Sequence, residues 1–161
     1  MQIKTIKQFE GIIQKEGNLQ IFTYKGFVCL IRRNFICEEG LGKLRLGELN
    51  KHTIFHLCGY VGLPKWHKFY KKNYDKINID CHGGLTFSGF RGNDSNLWFI
   101  GFDCGHAFDQ SMLSHNGIYR DVFYVKKEIR SIVNQLIDKD YIKNKRKELE
   151  EIEQELVEDE I

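Results

Sequence analysis

The chain has 161 residues, of which 42% are apolar and 13% aromatic, with a formal net charge of +2. That length supports one domain with a real core and excludes two ordinary ones, and the composition excludes a disordered chain. The near-balanced charge gives no reason to expect a nucleic-acid polymer as partner, and no apolar run reaches the ~18 residues of a membrane span. The N-terminus, MQIKTIKQFEGIIQKEG, alternates charged and apolar residues and does not read as a secretory signal. The five cysteines (Cys29, Cys37, Cys58, Cys81, Cys104) are odd in number and contain no CxxC pair. A disulfide framework is not expected, and a reducing cytoplasm is. Cys29, inside Phe27-Val28-Cys29-Leu30-Ile31, reads as a small buried hydrophobe.

Ile6, Phe9, Ile12 and Ile13 recur at helical spacing and predict an N-terminal helix over residues 5–15, closed by Gly17-Asn18. Residues 19–24 and 27–32 flank Lys25-Gly26 and predict a β-hairpin. Gly40, Gly42 and Gly47 break residues 34–52 into a loop with short pieces of structure. Residues 54–62 predict a strand, which Pro64 closes in a turn. Residues 65–76, KWHKFYKKNYDK, are basic and aromatic and read as a short helix or an irregular surface loop.

Residues 78–81 and 85–88 read as short strands around a His82-Gly83-Gly84 bend. Residues 91–96 read as a polar turn, and residues 97–102 as the most hydrophobic strand, expected in the middle of a sheet. From Arg120 the period changes: Val122, Val125, Ile129, Ile132, Val133, Leu136 and Ile137 predict an amphipathic helix, with Asp121 as N-cap. A charged helix with a thin apolar stripe (Leu149, Ile152, Leu156, Val157) is expected to follow. The expected architecture is a single α+β domain over residues 1–138. It holds a mainly antiparallel sheet, an N-terminal helix and a long C-terminal amphipathic helix, with a charged helical extension over 139–161 that solvent or a second copy of the chain would cover.

Two clusters carry the chemistry. The first is Asp80-Cys81-His82-Gly83-Gly84. Adjacent glycines admit positive φ and let backbone N–H groups line an anion site, and a histidine beside them donates to phosphate or acts as a base. The second is Asp103-Cys104-Gly105-His106-Ala107-Phe108-Asp109, at the end of a packed strand. Cys104, His106 and Asp109 are candidate zinc ligands, although no cysteine knuckle accompanies them. Asp80, His82, Asp103 and His106 are candidates for acid–base catalysis. Candidate ligand contacts are His82, Gly83, Gly84, Thr86, Arg91, Asp103, His106, Asp109 and Trp66. Arg32 and Arg33 would add phosphate contacts. Trp66, interleaved with Lys65, Lys68, Lys71 and Lys72, would stack on a base; the alternative is aromatics tucked into the core with wet lysines. Ser88, Ser111 and Ser114 lie in no nucleophile elbow. Cys104 beside His82 would make a thiol nucleophile, the least supported of these arrangements.

Five segments together resemble a family of small phage- and prophage-encoded proteins of no agreed activity. They are Tyr24-x-Gly26…Arg33-Asn34, Leu57-Cys58-Gly59-Tyr60-Val61-Gly62-x-Pro64, His82-Gly83-Gly84-Leu85-Thr86-Phe87-Ser88-Gly89, Gly101-Phe102-Asp103-Cys104-x-His106-x-x-Asp109 and Tyr119-Arg120-Asp121-Val122-x-Tyr124-Val125. The resemblance spans about residues 24–137 and omits the acidic tail. It implies a phage accessory protein in the host cytoplasm, of the kind that counters host defence by sequestering or destroying a nucleotide signal. Three functions stand at this point. One is a binder that sequesters a small phosphorylated ligand, a nucleotide above all. Another is a hydrolase or phosphodiesterase using an Asp/His site, with or without a metal. The last is an adaptor acting through the C-terminal helix.

Overall fold

A computed structural model describes residues 1–4, 6–37, 53–92, 94–110 and 117–158. Its elements in chain order are α1 (Ile6–Glu16), β1 (Leu19–Tyr24), β2 (Phe27–Cys37), β3 (Thr53–Leu63), a 3-10 turn (Tyr74–Lys76), β4 (Phe87–Arg91), β5 (Asp94–Asp103), α2 (Val122–Leu136) and α3 (Lys139–Glu158). The five strands form one antiparallel sheet in the order β1-β2-β3-β5-β4. The α+β architecture expected from the sequence is therefore the observed one. The hairpin joining β1 to β2 turns on Lys25 (φ 48°) and Gly26 (φ 85°). Two consecutive positive φ values match the right-handed strand twist and set the register Tyr24 opposite Phe27.

Alternation along the strands sorts the sheet into two faces. Phe27, Cys29, Ile31, Leu57, Val61, Leu63, Ile100 and Phe102 meet Val125, Ile129, Ile132, Val133 and Leu136 of α2 in the main core. Burying each such side chain contributes roughly 1.5–3 kcal/mol before chain entropy is counted. Gly59 lets α2 approach: a Cβ there would stand 3.1 Å from Ile129 and overlap the Phe102 ring. The other face carries a second cluster drawn from strands alone, with Cys58, Tyr60 and Phe99 buried and Val28, Leu30, Phe87 and Leu97 packed against them.

Four expectations need correction. Residues 78–81 form no strand: Ile77 and Ile79 alternate into the core from a loop. The strand expected at 85–88 is β4, two residues later, and the polar turn at 91–96 is a tight reversal at Gly92 between β4 and β5. Strand β2 runs to Cys37, so residues 34–37 belong to the sheet, and residues 38–52 lie outside the described residues. Strand β5 is interior as expected, although β3 is the middle strand.

Residues 65–76 form turns rather than a regular helix. Trp66, His67 and Phe69 pack into the core around Tyr141 while Lys65, Lys68, Lys71 and Lys72 stay exposed. α2 and α3 are separate helices, parted at Ile137-Asp138, where Asp138 accepts from Tyr141 N at 2.8 Å. Tyr141 stacks on Phe27 with ring centroids 5.0 Å apart, which ties the first turn of α3 to the core. Residues 149–155 are exposed throughout. No helix among the described residues is long and apolar enough to cross a membrane.

Candidate functional site

The first turn of α2 and two loops converge on Asp109, which is 1% exposed. Its Oδ2 lies 2.7 Å from His82 Nε2 and accepts from His106 N at 3.1 Å. Its Oδ1 accepts from Arg120 Nε at 2.8 Å. Burial by itself pushes the Asp109 carboxyl up, but the hydrogen bonds from Arg120 and His82 outweigh it and hold the group below the usual carboxylate range. Asp109 is thus a buried carboxylate shared by three donors from three segments. The same bond pushes the Arg120 guanidinium up.

An ionised Asp109 fixes the proton on His82 Nε2. The other ring nitrogen, Nδ1, lies 2.9 Å from the Tyr124 hydroxyl, so in the neutral imidazole it accepts that hydroxyl's proton. Arg120 precedes and Tyr124 follows the Asp121 N-cap of α2, whose side chain accepts from Tyr124 N at 2.8 Å. The Arg120 guanidinium lies 4.6 Å from the Tyr124 ring centroid. Burial, then the charge of Glu128, push the Tyr124 hydroxyl up, so it is a neutral donor at pH 7.

The loop that carries His82 is held by α2 rather than by a strand ladder. Gln135 accepts from Asp80 N at 2.9 Å and donates to Asp80 O at 2.7 Å. Glu128 accepts from His82 N at 2.9 Å. Gln135 and Glu128 are two turns apart on one helix face, so the helix clamps the loop at two points. Asp80 therefore enters through its main chain and its residue is exposed. Gly83 and Gly84 both have positive φ (65° and 81°). A Cβ at Gly83 would fall within the His106 ring, whereas none would be obstructed at Gly84. The glycine pair thus lets His106 close over the bend, its ring centroid 5.5 Å from that of His82.

Asp103, at the end of β5, accepts from Thr86 Oγ1 at 2.9 Å and from Gly105 N at 2.9 Å, and its Oδ1 stands 4.0 Å from His106 Nε2. Beside it lies His56, which the sequence reading did not single out: a Cβ at Gly105 would meet Asp103 Oδ1 at 3.1 Å and His56 Nδ1 at 3.4 Å. Burial holds the His56 imidazole below its ordinary value, with Asp103 opposing. His56 Nδ1 and His106 Nε2 are buried without a hydrogen-bond partner among the described residues.

The structure therefore joins His82, Gly83, Gly84, His106 and Asp109, with Asp103 and Thr86 adjoining. It leaves Arg91 on the opposite face of the sheet, over Tyr60, and builds Trp66 into the aromatic group around Tyr141. Arg33 is no surface contact: it is buried, bonded to Glu16 and to Tyr119 at 2.7 Å each. Cys104 packs in the core, where burial pushes its thiol up, and Cys81 is pushed up to about 12 by burial and then by Glu128. Neither is a thiolate at pH 7, which removes the support for a cysteine nucleophile. Among the described residues no three His, Cys, Asp or Glu side chains gather to hold a metal ion, so Cys104, His106 and Asp109 do not form the zinc site considered from sequence. Ser88, near the start of β4, accepts at Oγ from Tyr74 N at 3.0 Å. Ser111 and Ser114 lie outside the described residues.

Arg120 and Tyr124 are side chains of the candidate site that the two-cluster reading missed. Their signal was present in Tyr119-Arg120-Asp121-Val122-x-Tyr124, where a cation precedes an N-cap and a hydroxyl follows it in the first turn. Phe108, next to Asp109 in sequence, is 84% exposed, and Phe123, next to Tyr124, is 77% exposed. Compared with known proteins, the chain matches no family model, no curated protein and no solved structure.

Proposed function

We propose that this chain binds and sequesters a small phosphorylated ligand, a nucleotide signal being the best candidate, at the surface where Arg120, Tyr124 and the Gly83-Gly84 bend meet. The observation that carries the reading is the buried Asp109 carboxylate. It fixes Arg120 through Nε alone, at 2.8 Å, and fixes His82 against the Tyr124 hydroxyl. The rest of the guanidinium is left as a pre-oriented donor, the arrangement that phosphate recognition needs, while the Tyr124 hydroxyl is committed to His82 Nδ1. In this reading the protein is a phage accessory factor of the host cytoplasm, and affinity rather than turnover is its activity.

The Asp109–His82–Tyr124 chain itself favours a second reading. A carboxylate that orients an imidazole, which in turn holds a hydroxyl, is an acid–base relay. In a hydrolase or phosphodiesterase the Tyr124 oxygen would accept a proton from the attacking water while passing its own to His82 Nδ1. The water oxygen would bond to phosphorus as the bond to the leaving oxygen breaks, and the proton would return from His82 through Tyr124 to that leaving oxygen. A native mass spectrum after incubation with a panel of cyclic and ADP-ribose-type nucleotides separates the two. An intact adduct supports the binder, and a lighter product supports the hydrolase. If no nucleotide adds or changes, both fail and an adaptor role for α3 remains.

A further inference from the structure

The sheet face turned away from α2 holds a cavity of about 460 Å³, apart from Asp109. Its lining includes Leu19, Leu30, Arg32, Arg33, Tyr60 and Arg91. The volume falls within the roughly 300–1,000 Å³ of small-molecule sites.

Its construction follows from the strand register. Tyr60 on β3 faces Gly101 on β5, and a Cβ at Gly101 would overlap the Tyr60 ring, so the ring lies flat on the strand. Arg91, at the end of β4, then places its guanidinium carbon 3.8 Å from the Tyr60 centroid and 5.1 Å from that of Phe87. Backed by an aromatic ring on one side, the guanidinium lines the cavity as a flat cation. Arg32 on β2 shares this face by alternation with Leu30 and Val28.

Neither arginine has a carboxylate partner among the described residues, whereas Arg33 and Arg120, the arginines that face the helices, each hold one. Two cations without counter-ions beside an apolar wall of Leu19 and Leu30 fit an anion that carries an apolar, planar part.

We propose that this cavity is a second ligand site, taking a nucleoside phosphate with its phosphate on Arg32 and its base stacked on the Arg91 guanidinium. Arginine planes serve as stacking platforms for bases, and Tyr60 holds this one in place. The inference does not depend on the Asp109 site.

The test is a calorimetric titration of the full chain with ATP, AMP and inorganic phosphate. It is repeated on Arg32→Gln and Arg91→Gln, with the side-chain Nε–H signals of Arg32 and Arg91 followed by NMR to separate this site from any other. The expected result is ATP and AMP binding that shifts both signals and is weakened by roughly tenfold or more in each variant. Arg32 is exposed, so Arg32→Gln reads binding without risk to the fold even if Arg91→Gln disturbs Tyr60. Inorganic phosphate binding as tightly as AMP would overturn the base-stacking half of the proposal. Unmoved arginine signals at millimolar ATP, or equal affinity in Arg32→Gln, would overturn it altogether.

Discussion

His82 and Asp109, 27 positions apart in the chain, meet with Nε2 2.7 Å from Oδ2, and this contact organises the candidate site. Because the other imidazole nitrogen is engaged by the Tyr124 hydroxyl, His82 has no free nitrogen with which to touch a ligand. A lone His-Gly-Gly motif suggested a histidine aimed at the ligand; in the proposed site His82 instead holds the Tyr124 hydroxyl.

Removing the carboxylate leaves the partly buried Arg120 charge and the His82 N–H unpaired. Asp109→Ala is expected to destabilise the fold by an amount toward the lower end of ~3–5 kcal/mol, because Arg120 retains some access to water. Urea unfolding at pH 7 measures it. The folded carboxyl titrates below its unfolded value, so its contribution is complete above about pH 4 and fades as pH falls through the lower folded value. The variant's acid limb should be correspondingly shallower, and an unchanged limb would remove Asp109 from this role.

His56 and His67 titrate lower when folded than when unfolded, in each case first because of burial. The unfolded chain therefore binds protons first as pH drops, and stability is complete above the unfolded value of about 6.5 and falls below it. His67 is 4% exposed and accepts from Phe69 N at 3.1 Å. Melting temperatures of wild type and His67→Phe between pH 7.5 and 5 should differ in slope, wild type losing more. Parallel curves would show that His67 stays neutral in both states.

Gly83 and Gly84 separate backbone strain from steric overlap. Gly84→Ala places a side chain at φ 81° in open space and should cost ~1–2 kcal/mol. Gly83→Ala meets the same backbone penalty and also displaces the His106 ring. It should cost more than Gly84→Ala in denaturant unfolding and should alone move the His106 resonances. Equal costs would mean that His106 swings away freely.

Truncation tests which part of α3 is structural. A chain ending at Glu148 keeps Tyr141 on Phe27 and should melt within a few degrees of the full chain. A chain ending at Asp138 exposes Phe27, Trp66 and His67 and should lose ~2 kcal/mol or more. Equal stability of the two would deny α3 any share in the core.

Much of the fold was legible because period and burial agree: Val125, Ile129, Ile132 and Leu136 keep helical spacing and are all fully buried. Residues 78–81 misled because Ile77 and Ile79 alternate like a strand, while the hydrogen bonds at Asp80 go to the side chain of Gln135. Arg33 read as a phosphate contact because sequence does not show that β2 turns it toward Glu16 and Tyr119. Within the site, the glycine pair and the Asp and His residues were visible as local words. The roles of Arg120, Tyr124 and His56 were not, because they arise only when α2 and β3 are brought to the same sheet end.

The central claim is that Arg120, set by the buried Asp109 carboxylate, holds the phosphorylated ligand. The most direct measurement is the affinity of the nucleotide recovered by native mass spectrometry for wild type and for Arg120→Lys, which keeps a positive charge beside Asp109 and removes the guanidinium fork. The account predicts roughly tenfold or more loss of affinity with the melting temperature little changed. Undiminished binding by Arg120→Lys would contradict it.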